Sequence, residues 1–114
     1  MSEKRLSQVN QLIQKEIAEL LLKKVDFPPG CLVTVIRVET SVDIAFAKVF
    51  LSVLPVSATG QVTKILDKNI YHMQKILNRR LVRRIVPKIM FRIDNTEAEA
   101  EKVDRLLDSL KKEV

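Results

Sequence analysis

The stretch from residue 78 to residue 91, NRRLVRRIVPKIMF, restricts the chain more than any other, because its hydrophobic period changes within it. Leu77, Leu81 and Ile85 recur every four residues, the spacing of one helix face at about 100° per residue. Beyond Pro87, Ile89, Phe91 and Ile93 alternate as a strand does. Proline marks the change, since it lacks an N–H and clashes with the preceding helical turn. The wet side of the helical part carries Arg79, Arg80, Arg83 and Arg84, with Lys88 just beyond and no acidic residue between them. Guanidinium is permanently charged, weakly hydrated and forked to match phosphate oxygens. A face that serves only solubility normally mixes both signs. The segment is therefore expected to meet a polyphosphate, RNA foremost; the alternative is a solvated helix face with no ligand.

A length of 114 residues suits a single domain spanning 1–114, and an apolar content of 46% excludes a disordered chain. The formal charge of +6 favours an anionic partner. Cys31 is the only cysteine and His72 the only histidine, so neither an intrachain disulfide nor a Cys/His zinc set is available. That pair is also far apart in sequence, and with only Gly30 and Gly60 there is no glycine-rich phosphate loop. No enzyme, catalytic residue, metal site or small-molecule cofactor is expected. Glu3, Glu16 and Glu19 break the pattern of a targeting segment, and no run is long enough to cross a bilayer. A cytoplasmic protein with no membrane partner is expected.

Along the chain, Leu6, Val9, Leu12, Ile13, Ile17, Leu20 and Leu21 predict a core-facing helix over residues 3–24, with Ser2 as its N-cap. Phe27-Pro28-Pro29-Gly30 predicts a loop. Residues 31–39, dense in β-branched side chains, predict a strand. Its inward set stays open, because the polar Thr34 and Arg37 have opposite parity. After a turn over 40–46, residues 47–54 predict an antiparallel partner strand with Ala47, Val49, Leu51 and Val53 inside. A loop is expected over 55–60, then a helix from Gln61 with Val62, Ile65, Leu66, Ile70, Met73 and Leu77 on one side. Its phase would carry Arg84 into the core, so a break before Arg84 is required, with Asn78 as one candidate. A third strand over 88–94 follows. Thr96 with Glu99 forms a capping box for a last helix burying Val103, Leu106, Leu107 and Leu110. This order predicts an α+β domain, one small sheet with helices on one face. With no exposed aromatic pair expected on one strand, contact would go through phosphates and shape rather than bases.

The order of elements resembles the type II KH fold, and particular residues narrow the likeness. Val38, Glu39, Ser41, Asp43, Ala47, Lys48 and Val49 match the strand–turn–strand of the ribosome-binding factor A family. Leu77, Leu81, Arg84, Pro87, Ile89, Phe91 and Asp94 match that family's Leu-Gly-x-x-Leu … Arg-x-x-Pro-x-Leu-x-Phe pattern, and the segment from Asp94 to Leu110 matches its ending. The resemblance implies a three-stranded KH-like domain of order α-β-β-α(kink)α-β-α without GxxG. It also implies a non-enzymatic role in ribosome biogenesis. The chain would bind the free 30S subunit and its 16S rRNA, and assist late assembly and processing of the precursor's 5′ end, most of all in the cold. Two departures stand out: the family's Ala/Gly kink motif falls at Asn69, Ile70 and Tyr71, and its Gly before the arginine pair is Asn78. A monomer is expected to touch rRNA through Arg79, Arg80, Arg83, Arg84 and Lys88. Arg37, Lys48 and Arg92 are further candidates whose strand parity decides their direction. Converting Arg80 and Arg84 to Glu is expected to weaken binding and leave stability nearly unchanged. The rival reading is a protein-interaction module whose basic helix docks on an acidic protein.

Overall fold

The computed structural model describes residues 3–81 and 85–95. Over them the chain runs α1 (Glu3–Lys24), β1 (Leu32–Thr40), β2 (Phe46–Leu54), a 3-10 turn (Val56–Ala58), α2 (Thr59–Arg80) and β3 (Lys88–Ile93). The sheet order is β1-β2-β3, with β1 and β2 antiparallel and β2 and β3 parallel. A parallel neighbour needs a crossover, and α2 supplies it. The expected α+β architecture is present over these residues. Ser2, Thr96 and the last helix lie outside them.

The core forms where apolar spacing is strongest. Ile13, Ile17, Leu20 and Leu21 of α1 are buried against Ala47, Val49, Leu51 and Val53, the inward set expected of β2. Between α1 and β1, the Cys31 N–H donates to the Pro28 carbonyl at 3.1 Å, closing a turn in which Gly30 takes φ 82°. Only a residue without Cβ adopts that angle freely. Cys31 packs half-buried against the core, just before β1.

A β-bulge settles the parity left open in β1. Val35 pairs with Leu51 but Arg37 pairs with Phe50, so Ile36 is an extra residue. The phase flips there: Val33 and Val35 face inward before the bulge and Val38 after it, while Thr34 and Arg37 both point outward. A bulge re-aims the side chains that follow it. Here it sends Arg37 to the solvent side.

The turn from Ser41 to Phe46 is held by side chains. Ser41 Oγ accepts from the N–H groups of Ala45 and Phe46 at 3.1 and 3.0 Å and donates to Asp43 Oδ1 at 2.7 Å. The Ser41 hydroxyl and the Ala45 N–H hold the Asp43 carboxyl below its usual pKa. This lattice keeps Ile44 at φ 57°, an uncommon angle for a β-branched residue, with its side chain buried.

Helix α2 departs from expectation at both ends. It begins at Thr59, so the expected loop over 55–60 is a 3-10 turn followed by the first helical turn. It then runs unbroken to Arg80, and Leu81 closes it with φ −102° and its N–H on the Leu77 carbonyl at 3.0 Å. Asn69, Ile70 and Tyr71 are helical, and so is Asn78, whose side chain accepts from Gln74 Nε2. The helix is uninterrupted at both places, and the break required before Arg84 comes at Leu81. The helix does not extend to Pro87. Leu77 and Leu81 are buried, but Ile85 is 70% exposed and non-helical.

The reason is the parallel strand that follows. Lys88 must reach the side of Phe46, where its N–H donates to the Ala45 carbonyl at 2.9 Å. Gln74 guides this return: its Oε1 accepts from the Ile89 N–H at 2.8 Å and its Nε2 donates to the Pro87 carbonyl at 3.2 Å. Replacing Gln74 by Leu leaves both backbone groups without these partners at a partly buried place, a loss of roughly 1–3 kcal/mol. Chemical denaturation should show it, with hydrogen exchange rising first at Ile89.

Candidate nucleic-acid interface

Helical rotation sorts the cations of α2. At about 100° per residue, Lys64, Lys68, Lys75 and Arg79 fall within an arc of roughly 60°, opposite the buried Val62, Leu66, Met73 and Leu77. All four are exposed, and among the described residues no carboxylate lies within salt-bridge distance of them. Asp67 is the only acidic residue on the helix. Tyr71, 72% exposed, lies about 20° outside that arc, with Lys75 Nζ 4.9 Å from its ring centroid. The stripe runs about 22 Å, at 1.5 Å per residue. Its spacing was present in the sequence. It lies beside the denser arginine run downstream, whose charge per residue is higher.

Arg80 sits about 100° further round than Arg79, toward α1. Its guanidinium donates to Glu16 Oε2 at 2.9 Å and lies 3.5 Å from Glu19 Oε1. This bond to Glu16 raises the Arg80 pKa, while Lys23 first and Arg80 after it lower that of Glu19. Arg80 therefore ties the two helices together instead of presenting a free cation. Arg80→Glu should lower the melting temperature by placing a third carboxylate beside Glu16 and Glu19, whereas Arg79→Glu should barely change it. The wild-type contribution has a defined pH sign. Glu19 has a depressed folded pKa, so its stabilisation is present above the ordinary carboxylate pKa and fades as pH falls through the lower folded value. A thermal melt from pH 6 toward pH 3 checks this.

The remaining candidates gather elsewhere. Lys48, Lys88 and Arg92 are exposed, with Arg37, on the sheet face turned away from the helices. Arg37 pairs with Glu39 and Asp94 at 3.2 Å each, and its guanidinium lies 4.0 Å above the ring centroid of Phe50. Phe46, assigned to the turn by its sequence, is instead the first residue of β2. It shares the outer face with Phe50 and is 48% exposed. Phe46 and Phe50 thus form an aromatic pair on one strand in which only Phe46 is exposed, Phe50 being half-buried beneath Arg37. The single cationic ridge expected over 79–88 divides between α2 and the sheet, because the chain turns between them. Arg83 and Arg84 lie outside the described residues.

Among the described residues no helix is long and apolar enough to cross a membrane. Over the described residues this element order is that of the resemblance noted from the sequence. A family model described as ribosome-binding factor A matches residues 5–107. The chain belongs to the ribosome-binding factor A family. Ribosome-binding factor A of Akkermansia muciniphila is 32% identical over 109 residues, covering 96% of this chain and 86% of that protein. The protein of that name from Thermodesulfovibrio yellowstonii is also 32% identical over 109 residues, covering 96% and 92%. The crystal structure of ribosome-binding factor A from Thermus thermophilus superposes with a TM-score of 0.60 at 21% identity, over 77% of this chain and 94% of that one. Coordinates of the Thermus thermophilus protein fitted to a cryo-EM map of its 30S complex give 0.59 at 20% identity, over 75% and 90%. The shared fold is thus KH-like.

Proposed function

We propose that this chain is a ribosome maturation factor that binds the free 30S subunit through 16S rRNA. The observation that carries this reading is the cationic stripe of α2, which has no ion-pair partner among the described residues, on a chain whose family is named for ribosome binding and whose fold is shared with a protein fitted into a 30S complex. Lys64, Lys68, Lys75 and Arg79 track phosphates, and Arg83 and Arg84 extend the contact from the segment that follows. The chain acts in the cytoplasm as a monomer, without a catalytic step. It holds an immature rRNA arrangement during late assembly, assists processing of the precursor's 5′ end, and matters most in the cold, when misfolded RNA escapes slowly.

Sedimentation with purified free 30S subunits and with whole ribosomes, across a salt series, tests the reading. Co-sedimentation with free subunits that weakens steeply with salt is expected, since each phosphate contact contributes a log–log slope of about −0.9. A complex that survives both high salt and nuclease would instead favour an acidic protein partner.

A further inference from the structure

The α2 stripe leaves the sheet's outer face unexplained. On β2 this face presents Phe46, Lys48 and Phe50 in alternate positions. Neighbouring strands lie about 4.8 Å away. In register, Phe46 is flanked by Lys88, Lys48 by Met90, and Phe50 by Arg92 on one side and Arg37 on the other. Glu39 stands opposite Lys48, but its carboxylate is bound to Arg37 Nε. Among the described residues, Lys48, Lys88 and Arg92 have no carboxylate within salt-bridge distance. The face is thus aromatic at its surface and positive in charge.

We propose that this face is a second RNA surface, specific for an unpaired strand, with one base stacking on Phe46 and another on the Arg37–Phe50 pair. The proposal rests on the rRNA-binding reading and adds to it the kind of RNA held. Three features of the face agree. Four residues of strand separate Phe46 from Phe50 by about 13 Å, so the two platforms seat bases roughly two nucleotides apart in an extended strand. Lys48 lies midway, where the intervening phosphates pass. The bulge at Ile36 is what turns Arg37 outward, and Glu39 and Asp94 then hold its plane against Phe50. A guanidinium plane is itself a stacking surface for a base. A duplex cannot use such platforms, because its bases are already stacked on one another.

The test uses the full chain with fluorescently labelled RNA, single-stranded and about a dozen nucleotides long, and the same sequence as a duplex. Phe46→Leu with Phe50→Leu keeps the apolar cover and removes both rings. The double variant should bind the single strand about 10- to 100-fold more weakly, with the salt slope and the duplex affinity unchanged, since base–aromatic stacking carries no counterion release. Wild-type NMR spectra should show upfield shifts of the Phe46 ring protons with the single strand. Wild-type affinity of the variant for the single strand overturns the proposal, as does equal loss for both RNA forms. Ring shifts produced by an acidic peptide but not by RNA overturn it in favour of a protein partner. Failure of the general reading looks different: the wild type would then not bind free 30S subunits at all. A folded variant, checked by its thermal melt, is required of each comparison. Phe46→Leu alone, at the more exposed ring, serves if the double variant unfolds.

Discussion

Replacing Lys68, Lys75 and Arg79 together by glutamate should reduce affinity for free 30S subunits by at least about 500-fold near 0.1 M salt. The estimate follows from counterion release, in which each phosphate contact contributes about 0.9 to the log–log salt slope and so about 0.9 log unit between 1 M and 0.1 M. Three contacts give about 2.7 log units, before any repulsion from the new carboxylates. The slope itself should fall by about 2.7, a signature that general destabilisation does not produce. Stability should hardly change, because all three side chains are exposed and make no ion pair among the described residues. Surface replacements of this kind usually stay within about 0.5 kcal/mol each. Arg79→Glu adds a small unfavourable term, since an anion at a helix C-terminus opposes the dipole. Filter binding or sedimentation at several salt concentrations, paired with a melt, measures both quantities. An unchanged slope in a folded variant would remove α2 from the interface.

Leu77→Ala should cost roughly 2–5 kcal/mol in unfolding free energy, as large-to-small changes in a closed core do. Leu77 is fully buried in the last turn of α2 and belongs to the one cluster that joins α1, the sheet and α2. Its carbonyl also accepts the Leu81 N–H that ends the helix. Leu81, itself buried, packs in the same cluster. The cavity therefore opens where the chain leaves α2, a place with little freedom to collapse. For a domain near 100 residues each kcal/mol moves the melting temperature by about 4–8 °C, so a drop of roughly 8–40 °C is expected. Binding by the fraction that remains folded at low temperature should stay near wild type, since Leu77 touches no solvent. A loss below about 1 kcal/mol would mean that the last turn of α2 does not close the core.

These two variants separate the surface of α2 from its buried side. Arg80 belongs to neither group. In sequence it is indistinguishable from Arg79, yet one step of helical rotation takes it from solvent to the side of α1, where Glu16 and Glu19 wait. The expected pair of Arg80 and Arg84 as a stability-neutral test therefore fails at Arg80. Lys88 differs from Arg79 in another way: the chain reverses between them, and Lys88 emerges on the opposite side of the sheet.

Elements with a strong period were readable from the sequence alone. Helix α1, the inward set of β2 and the strand after Pro87 depend on side chains repeating every 3.6 or 2 residues, a constraint local to each segment. The Pro-Pro-Gly turn was readable for the same reason, since φ preferences belong to single residues. The family, too, was legible in the motif spacing of the two central stretches. What only the tertiary structure decided concerns relations between segments. The bulge at Ile36 reflects a pairing register with β2 that no property of β1 alone contains. The unbroken course of α2 past Asn78 depends on Gln74 and the parallel return of β3. Which cations are free and which are paired depends on carboxylates brought from distant positions, such as Glu16 to Arg80 and Asp94 to Arg37. A sequence lists charges and periods; only packing determines which of them face each other, because contact energies act through space and not along the chain.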